Sequence, residues 1–461
     1  MRKHLYDLCM ITGIIFILSG SGWGEEVSPI SITEERKIEV AAAEGGAGAM
    51  DLEHLEKRIG ELEKQVKEGK EETQKWEDLK ETFGRFKIGG GITGIVQGTL
   101  NNDKNPPPSK LAPGVEEAGI EREDVTDGSY SVDLELEVDL NRYGRAFLHL
   151  EAGEGEGVGR RLSGFVCKKH GEAKPIFTGV NADALGGDGT LTIAEAYWEI
   201  PLFAEKLIVT VGKLDPVAYF DANAVANDET GQFLADIFVN NIGVDWPDYA
   251  PGLRITLNPH DLVEINLGCI SGDSDYKDLF ENLFGMGEIN LKPKLYGKLQ
   301  GNYRFYYWIN DRHHMTWEDE EAKEESQGFG LSFDQQITPE VTLFARYGIQ
   351  DDDIKYDCED FSLRIKDAWS FGGEIKGKFW GRENDTFAIA YGQARLMDEL
   401  EKRMQGAGAE TMEEGHLEAY YKLALGEHVA LSLDFQAIFD PGGNKKTDTV
   451  YVGGSRLQVT F

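Results

Sequence analysis

The sequence predicts an all-β protein, a transmembrane antiparallel β-barrel of about 16 strands preceded by a short N-terminal α-helical coiled-coil segment. Three observations predict the barrel. From about residue 83 onward, apolar and polar residues alternate with a period of two, as in strands that have one apolar and one polar face. The alternating segments run for about nine to eleven residues, the length with which a tilted strand crosses a bilayer. Loops rich in Gly, Asn, Asp and Pro separate them.

Composition and charge exclude several classes of function. The 461 residues carry 82 acidic and 47 basic side chains, a net charge of −35. Contacts to phosphate need Lys and Arg, so this charge argues against nucleic-acid binding and against docking on an anionic membrane surface. With 41% hydrophobic residues the chain is not a disordered polypeptide. Four cysteines and no CxxC pair predict neither a disulfide framework nor a zinc site, and we expect no metal and no cofactor.

The first residues have the order of a secretory signal peptide. Arg2 and Lys3 precede an apolar run from Leu8 to Leu18, which is followed by the small residues 19–22. About eleven residues at ~1.5 Å rise cover roughly half of a bilayer's hydrocarbon core, so this run is too short to span it. We therefore predict a signal peptide over residues 1–24 and export of the chain.

The next two segments differ in composition. Residues 25–50 are rich in Ala, Gly and Glu and are predicted to be flexible. Residues 51–82 are predicted to form a periplasmic helix or coiled coil, because apolar residues recur there at spacings of three and four. Two interpretations of this helix stay open: an oligomerising or spacer stalk, and a short solvated helix, since an isolated helix of this length needs a partner. The seam residues are Leu52, Leu55, Ile59, Leu62 and Val66.

The barrel domain is predicted over residues 84–461. Alternation alone also occurs in soluble sandwiches, so the membrane assignment depends on further features. Aromatic residues such as Trp308 and Trp380 lie near segment ends, as in the girdles at membrane interfaces. The last strand ends on the aromatic residue Phe461, and the polar face suits a water-filled lumen. Clear alternation occurs in residues 131–140, 295–308, 341–347, 369–379, 417–425 and 429–437.

One stretch of the chain resembles a known family. Residues 211–223 read VGKLDPVAYFDAN, followed by ANDE at 226–229 and QFL at 232–234. Further matching pieces are FVNN at 238–241, YAPG at 249–252 and DPGGN at 440–444. Together they resemble the carbohydrate-selective porins, the OprB family, over roughly residues 84–461. The resemblance implies a barrel of about sixteen strands in the cell outer membrane, surrounded by lipid, through which carbohydrates and other small hydrophilic solutes diffuse.

The same stretch contains candidate pore residues. A diffusion pore needs a constriction whose polar groups replace part of a solute's hydration, weakly enough to release it. The alternative is a turn-rich structural loop whose Asp and Asn side chains cap their own backbone. By strand phase Arg304, Arg346 and Lys378 face the lumen, where they either balance the acids or are simply solvated. The constriction candidates are Lys213, Asp215, Tyr219, Asp221, Asn223, Asn227, Asp228, Glu229 and Gln232.

These observations predict a passive porin and no enzyme, since the chain lacks a GxSxG motif and an evident Ser/His/Asp set. Two alternatives stay open. One is a general porin that prefers cations, because an acidic lining raises the local cation concentration. The other is a protein that tethers the outer membrane to the cell wall through the helix of residues 51–82. Association into a homo-oligomer is a further open expectation.

Overall fold

A computed structural model describes most of the chain. Described are residues 83–104, 123–155, 187–279, 281–316, 323–351, 365–406 and 410–461, together with shorter pieces within 57–75 and 157–182, and 354–355 and 408. The chain divides into two compact units, Met1–Lys75 and Trp76–Phe461. The predicted signal peptide and flexible segment, residues 1–50, lie outside the described residues.

Seven residues of the first unit are described, and they are helical and exposed. Lys64 and Glu68, one helical turn apart, form an ion pair of 3.8 Å. The apolar seam residues between Leu52 and Val66 lie outside the described residues, so the coiled coil remains a prediction. Among the helices that the structure describes, none has the length and apolar character needed to cross a membrane.

Sixteen antiparallel strands form a closed barrel in the second unit. The first strand pairs with the second and also with the last, so that Gly91 lies opposite Thr460 and Ile92 opposite Val459. The predicted all-β barrel and its strand number are confirmed. The strands are β1 Phe86–Leu100, β2 Thr126–Asp139, β3 Arg145–Gly155, β4 Gly187–Leu202, β5 Leu207–Leu214, β6 Ala250–His260, β7 Val263–Ser271, β8 Leu283–Leu291, β9 Leu299–Thr316, β10 Lys323–Thr338, β11 Val341–Gln350, β12 Ile365–Lys376, β13 Thr386–Leu396, β14 Glu414–Ala424, β15 Val429–Phe439 and β16 Val450–Thr460.

Short elements lie in the connections between the strands. Three helices are described in the second unit: α1 Pro216–Tyr219, α2 Asp236–Val239 and α3 Asp398–Gly406. Short 3₁₀ helices cover Asn102–Lys104, Asn141–Tyr143, Gly377–Trp380 and Pro441–Gly443. Two-residue strands are Phe165–Val166, which pairs with Ala173–Lys174, and Lys294–Leu295 and Ile354–Lys355, which pair with β9.

The two ends of the barrel differ in the length of their connections. The end that holds the start of β1 has tight turns, such as residues 203–206, 261–262 and 339–340. The opposite end has longer connections, including residues 215–249 and 397–413. Short turns on the periplasmic side and long loops outside are the usual asymmetry of outer-membrane barrels.

The two faces of the strands have opposite polarity. On β15, Leu431, Leu433 and Phe435 point outward, and the side chains between them, Ser432 and Asp434, are buried inside. The same apolar outer face continues around the ring, where lipid is the solvent that it suits. Exposed outward residues include Ile92, Val96, Phe305, Phe329, Leu343, Phe371, Ile389 and Leu457.

Lys378 does not lie on a strand, so the prediction that it faces the lumen is wrong. Strand β12 ends at Lys376, and the following 3₁₀ turn breaks the two-residue alternation on which that prediction depended. The exposed Lys378 ammonium lies 2.6 Å from a carboxylate oxygen of Glu340, at the neighbouring turn. Lys378 is therefore part of the short-turn end of the barrel.

If the outer face contacts lipid, a charged residue placed on it should lower the stability of the barrel by an amount that depends on its depth in the bilayer. We expect Leu433→Arg, at mid-height of β15, to reduce the free energy of unfolding from lipid vesicles by about 2–4 kcal/mol, because the guanidinium would lie at the bilayer midplane. The matched control is Leu425→Arg, since Leu425 is equally exposed and lies just beyond the end of β14. Its expected cost is only about 0–1 kcal/mol. Equal costs in denaturant titrations would contradict the lipid-facing assignment.

Candidate functional site

The connection between β5 and β6, residues 215–249, folds into the barrel. We call it the inserted loop. Its first turn is α1, where the side chain of Asp215 accepts a hydrogen bond from the amide of Val217 (3.1 Å) and Pro216 occupies the first helical position. Both features are typical of helix starts. The chain then turns at Asp221, whose φ of 58° lies in the left-handed region, and continues along the inner wall.

The inserted loop packs against the inner wall through apolar side chains. Phe233 lies 5.8 Å from the ring of Phe344 on β11 and 5.1 Å from that of Tyr420 on β14, between ring centroids. A second cluster joins Phe220 to Phe284 and Trp308 on β8 and β9. This packing fills the part of the lumen next to these side chains.

Asp221 is the centre of a buried polar network. Its carboxylate forms an ion pair of 2.8 Å with Arg346 on β11. It also accepts hydrogen bonds from the Tyr306 hydroxyl (2.8 Å) and from the backbone N–H of Asn241 (2.9 Å). Burial raises the pKa of Asp221, and the Arg346 guanidinium acts in the opposite direction. Gly348 permits this arrangement, because a Cβ there would lie 2.2 Å from the Asn241 side chain.

Several predicted constriction residues bind the loop's own backbone. Asn223 accepts a hydrogen bond from Val225 (3.2 Å), and Asp228 accepts one from Thr230 (2.9 Å). Gln232 accepts hydrogen bonds from the amides of Asn227 (2.8 Å) and Asp228 (3.2 Å). Such contacts are the ones expected of a turn-rich structural loop whose polar side chains cap their own backbone. Asn223 also donates to Ser332 on β10 (3.3 Å) and so joins the loop to the wall.

A cavity of about 440 Å³ lies between the inserted loop and the strands β1 to β3 and β16. Four of the predicted constriction residues line it: Asp215, Asn227, Asp228 and Glu229. The other five do not. The barrel wall supplies lining residues that the sequence reasoning missed, namely Thr93, Asp133, Glu135, His149, Glu151, Gln458 and Thr460, and the loop adds Thr230 and Tyr249.

The missed acids carried a recognisable signal. Asp133 and Glu135 stand on the polar face of the clearest alternating segment, β2, and strand phase alone directs them to the lumen. Phase does not tell which of many inward positions lies at the narrowing, because that depends on where the loop inserts.

Lys213 and Tyr219 lie beside the cavity. The Lys213 ammonium donates to the Ile193 carbonyl (2.6 Å) and lies 5.8 Å from the centre of the Tyr249 ring. The Tyr219 hydroxyl donates to Glu195 (3.1 Å), and its ring lies 4.5 Å from the Arg254 guanidinium. Tyr219 also meets the ring of Tyr197 edge-on, at 6.1 Å between centroids. An aromatic surface therefore continues from the loop onto β4.

The cavity is acidic, with six carboxyl groups in its lining and His149 as its one possible cation among the described lining residues. His149 itself lies 3.1 Å from the Asp133 carboxylate. Towards the short-turn end of the barrel, two basic residues are already paired: Arg145 on β3 contacts Glu199 (2.9 Å), and Lys292, which follows β8, contacts Glu264 at 2.5 Å. No lysine or arginine is among the described residues that line the cavity.

Arg304 and Arg346 point to the inner side of the wall, where both are buried. Arg304 forms an ion pair of 2.9 Å with Asp334, and Asp334 accepts a hydrogen bond from the loop amide of Ala224 (3.3 Å). Neither arginine lines the cavity. Arg346 holds the inserted loop directly, through Asp221, and Arg304 does so indirectly, through Asp334.

The enclosed position of the loop acids changes their protonation. Enclosure inside the barrel raises the pKa of Asp215 to about 8, and the nearby Glu195 carboxylate adds to the effect. Enclosure likewise raises the pKa of Glu229 to about 7, with a contribution from Asp228. Both groups therefore gain negative charge between slightly acidic and alkaline pH.

The polar network predicts that the inserted loop becomes locally less stable when Asp221 is removed. Asp221→Ala leaves Arg346 buried without its carboxylate, a loss of about 3 kcal/mol or more for a buried pair. We expect the backbone amides of α2 to exchange with deuterium roughly a hundredfold faster, while the barrel strands keep their protection. Asp228→Ala is the control, since Asp228 bonds to the adjacent residues of its own turn. Unchanged exchange in Asp221→Ala would show that the network does not hold the loop.

Several known proteins are similar to this chain, and the first of them shares its fold. The solved structure described as the high-pH structure of Pseudomonas putida OprB superposes with a TM-score of 0.66 at 17% identity, covering 83% of this chain and 96% of that chain. The outer membrane channel DcaP of Acinetobacter baumannii gives a TM-score of 0.49 at 11% identity over 82% of this chain and 97% of that chain. A curated relative from Aquifex aeolicus (strain VF5), described as an uncharacterized protein, is 25% identical over 273 residues, 59% of this chain and 70% of its own length.

Residues 129–461 match the family described as "Carbohydrate-selective porin, OprB family". The match covers most of the barrel, including the whole inserted loop and the cavity wall from β2 onward. The chain belongs to the carbohydrate-selective porin family OprB.

Proposed function

We propose that this porin allows carbohydrates and other small hydrophilic solutes to diffuse passively across the outer membrane. The observation that carries the proposal is the cavity of about 440 Å³ that the inserted loop leaves open against the barrel wall. Its volume is in the range of clefts that hold small molecules, about 300–1,000 Å³. Its lining consists largely of hydroxyl, amide, carboxylate and aromatic groups.

The lining has the chemistry that a sugar needs. A sugar presents hydroxyl groups at its edges and C–H groups on its faces. The carboxylates of Asp133 and Glu151 are acceptors for hydroxyl groups, and the ring of Tyr249 offers an apolar face. Each such contact replaces a contact with water, so its net free energy is small and the solute is released as readily as it enters. The solute gradient is then the only driving force.

The proposed orientation places the short turns in the periplasm and the long connections outside the cell. Strand β1 begins at the short-turn end. The predicted signal peptide over residues 1–24 fits export to this membrane. By sequence order, the helix predicted over residues 51–82 precedes β1 and is then periplasmic. Its role as stalk or tether remains a prediction.

The acidic cavity favours a second candidate, a general porin that prefers cations. Six carboxyl groups line the cavity and attract cations into it. Neutral sugars are not excluded by such a field, but sugar acids and sugar phosphates are disfavoured. The two candidates differ in whether sugars compete with ions for the narrow part of the pore.

Conductance in planar lipid bilayers tests the proposal. We expect the purified protein to form channels whose ion current falls when neutral mono- or disaccharides are added, because a sugar in the cavity displaces ions. A variant with Asp133→Asn and Glu151→Gln should still conduct, but the same sugars should reduce its current less, because two charged acceptors are lost. A cation-selective current that no sugar reduces would favour the general porin, and the absence of any current from folded protein would refute both candidates.

The raised pKa values of the loop acids predict a pH-dependent selectivity. Asp215 and Glu229 have pKa values of about 8 and about 7, so both lose their charge as the pH falls below this range. We expect the ratio of cation to anion permeability, measured from reversal potentials in a KCl gradient, to rise between pH 6 and pH 9.

Two matched variants test whether the loop acids cause the pH-dependent selectivity. Asp215→Asn removes the group with the higher pKa and should flatten the rise above pH 7. Asp261→Asn is the control, because Asp261 lies in the exposed turn between β6 and β7, away from the cavity. A pH-independent reversal potential in the unmodified protein would show that the cavity acids do not govern selectivity.

A further inference from the structure

The inner wall of the barrel binds the main chain of the inserted loop through buried charged side chains. Arg346 on β11 is the first example. Its guanidinium donates hydrogen bonds to the loop carbonyls of Phe238 (2.7 Å), Asp221 (3.0 Å) and Ala226 (3.0 Å), in addition to its ion pair with the Asp221 carboxylate. With 4% of its surface exposed, Arg346 is held between the loop and the wall.

Arg456 on β16 binds a second part of the loop in the same way. It donates to the carbonyls of Glu229 (2.5 Å) and Gln232 (2.7 Å), and its guanidinium lies 5.8 Å from the centre of the Tyr420 ring. Its exposed fraction is 1%. The side chain of Glu229 lines the cavity, so Arg456 acts on a residue whose other end faces the solute path.

Glu418 on β14 binds a third part of the loop through acceptor atoms. Its two carboxylate oxygens accept hydrogen bonds from the consecutive loop amides of Leu234 (2.6 Å) and Ala235 (3.0 Å). Arginines therefore bind loop carbonyls, and a glutamate binds loop amides. Hydrogen bonds with one charged partner are stronger than neutral ones, and a buried backbone group left without a partner is costly.

We propose that Arg346, Glu418 and Arg456 are positioning residues that set the cross-section of the pore by holding the main chain of the inserted loop. This inference rests on the proposed function, because it concerns the width of the same solute path. Since Arg346, Glu418 and Arg456 hold the loop mainly through its backbone atoms, the loop side chains that face the cavity can change charge without moving the loop. The wall decides the width of the pore, and the loop side chains decide its selectivity.

The test uses Arg456→Gln in the full-length protein reconstituted in planar bilayers. Glutamine is shorter and uncharged, and its two N–H donors sit on a single nitrogen, whereas Arg456 uses two different nitrogens for the carbonyls of Glu229 and Gln232, so the loop should move away from its position. We expect the single-channel conductance to rise about twofold, because conductance follows the width of the narrowest part. The block by a neutral disaccharide should weaken in the same variant.

Two further variants make the result specific. Arg456→Lys keeps the charge but carries its donors on a single nitrogen, and it should give an intermediate conductance. Arg395→Gln is the matched control, because Arg395 is an arginine of β13 that contacts Asp367 and binds no loop atom among its described contacts. Its conductance should equal that of the unmodified protein. Heat-modifiable migration in gels verifies for each variant that the barrel is folded.

If Arg456→Gln does not fold, Arg346→Lys replaces it, since lysine keeps the charge beside Asp221 but does not reach all three carbonyls. A conductance and a sugar block equal to those of the unmodified protein, in a folded Arg456→Gln or Arg346→Lys variant, would overturn the positioning role. That outcome leaves the proposed function intact. An unmodified protein that forms no channel would instead refute the proposed function itself.

Discussion

The pairing of the first strand with the last is the interaction on which the rest of the molecule depends. In hydrocarbon an unpaired backbone amide or carbonyl has no water to bind, so a sheet with free edges cannot exist there. The register of β1 with β16, from Gly91 opposite Thr460 to Leu100 opposite Tyr451, removes both edges. Closure also creates a lumen, and the alternating side chains then meet two different solvents, lipid outside and water inside.

The lumen imposes the next constraint, because a polar inner wall would line a channel much wider than a small solute. The inserted loop narrows it by burying phenylalanines against one side of the wall and by satisfying its backbone with charged wall residues. An apolar contact alone would let the loop slide along the wall, since hydrophobic burial has no direction. Hydrogen bonds from fixed strand positions do have direction and therefore define one position of the loop.

The sequence allowed the strands and their faces to be predicted, because a period of two is a local property that each segment shows by itself, as in β2 and β15. It did not allow the contacts of the loop to be predicted. Arg346 and its partners Phe238 and Ala226 are separated by 108 and 120 residues, and strand phase directs Arg346 inward without telling what covers it. The phase argument also failed where a strand ended earlier than its pattern, at Lys378.

The use of the arginines explains the charge of the cavity. Arg304, Arg346 and Arg456 point to the inner side of the wall, and each is buried in contact with a carboxylate or with loop carbonyls. A guanidinium that is fixed in this way is removed from the solute path, so its charge is screened from a passing ion by the loop itself. The acids Asp133 and Glu135 of β2 and Glu151 of β3 line the open cavity instead. The cavity is therefore acidic because these three arginines hold the loop and do not line the open space.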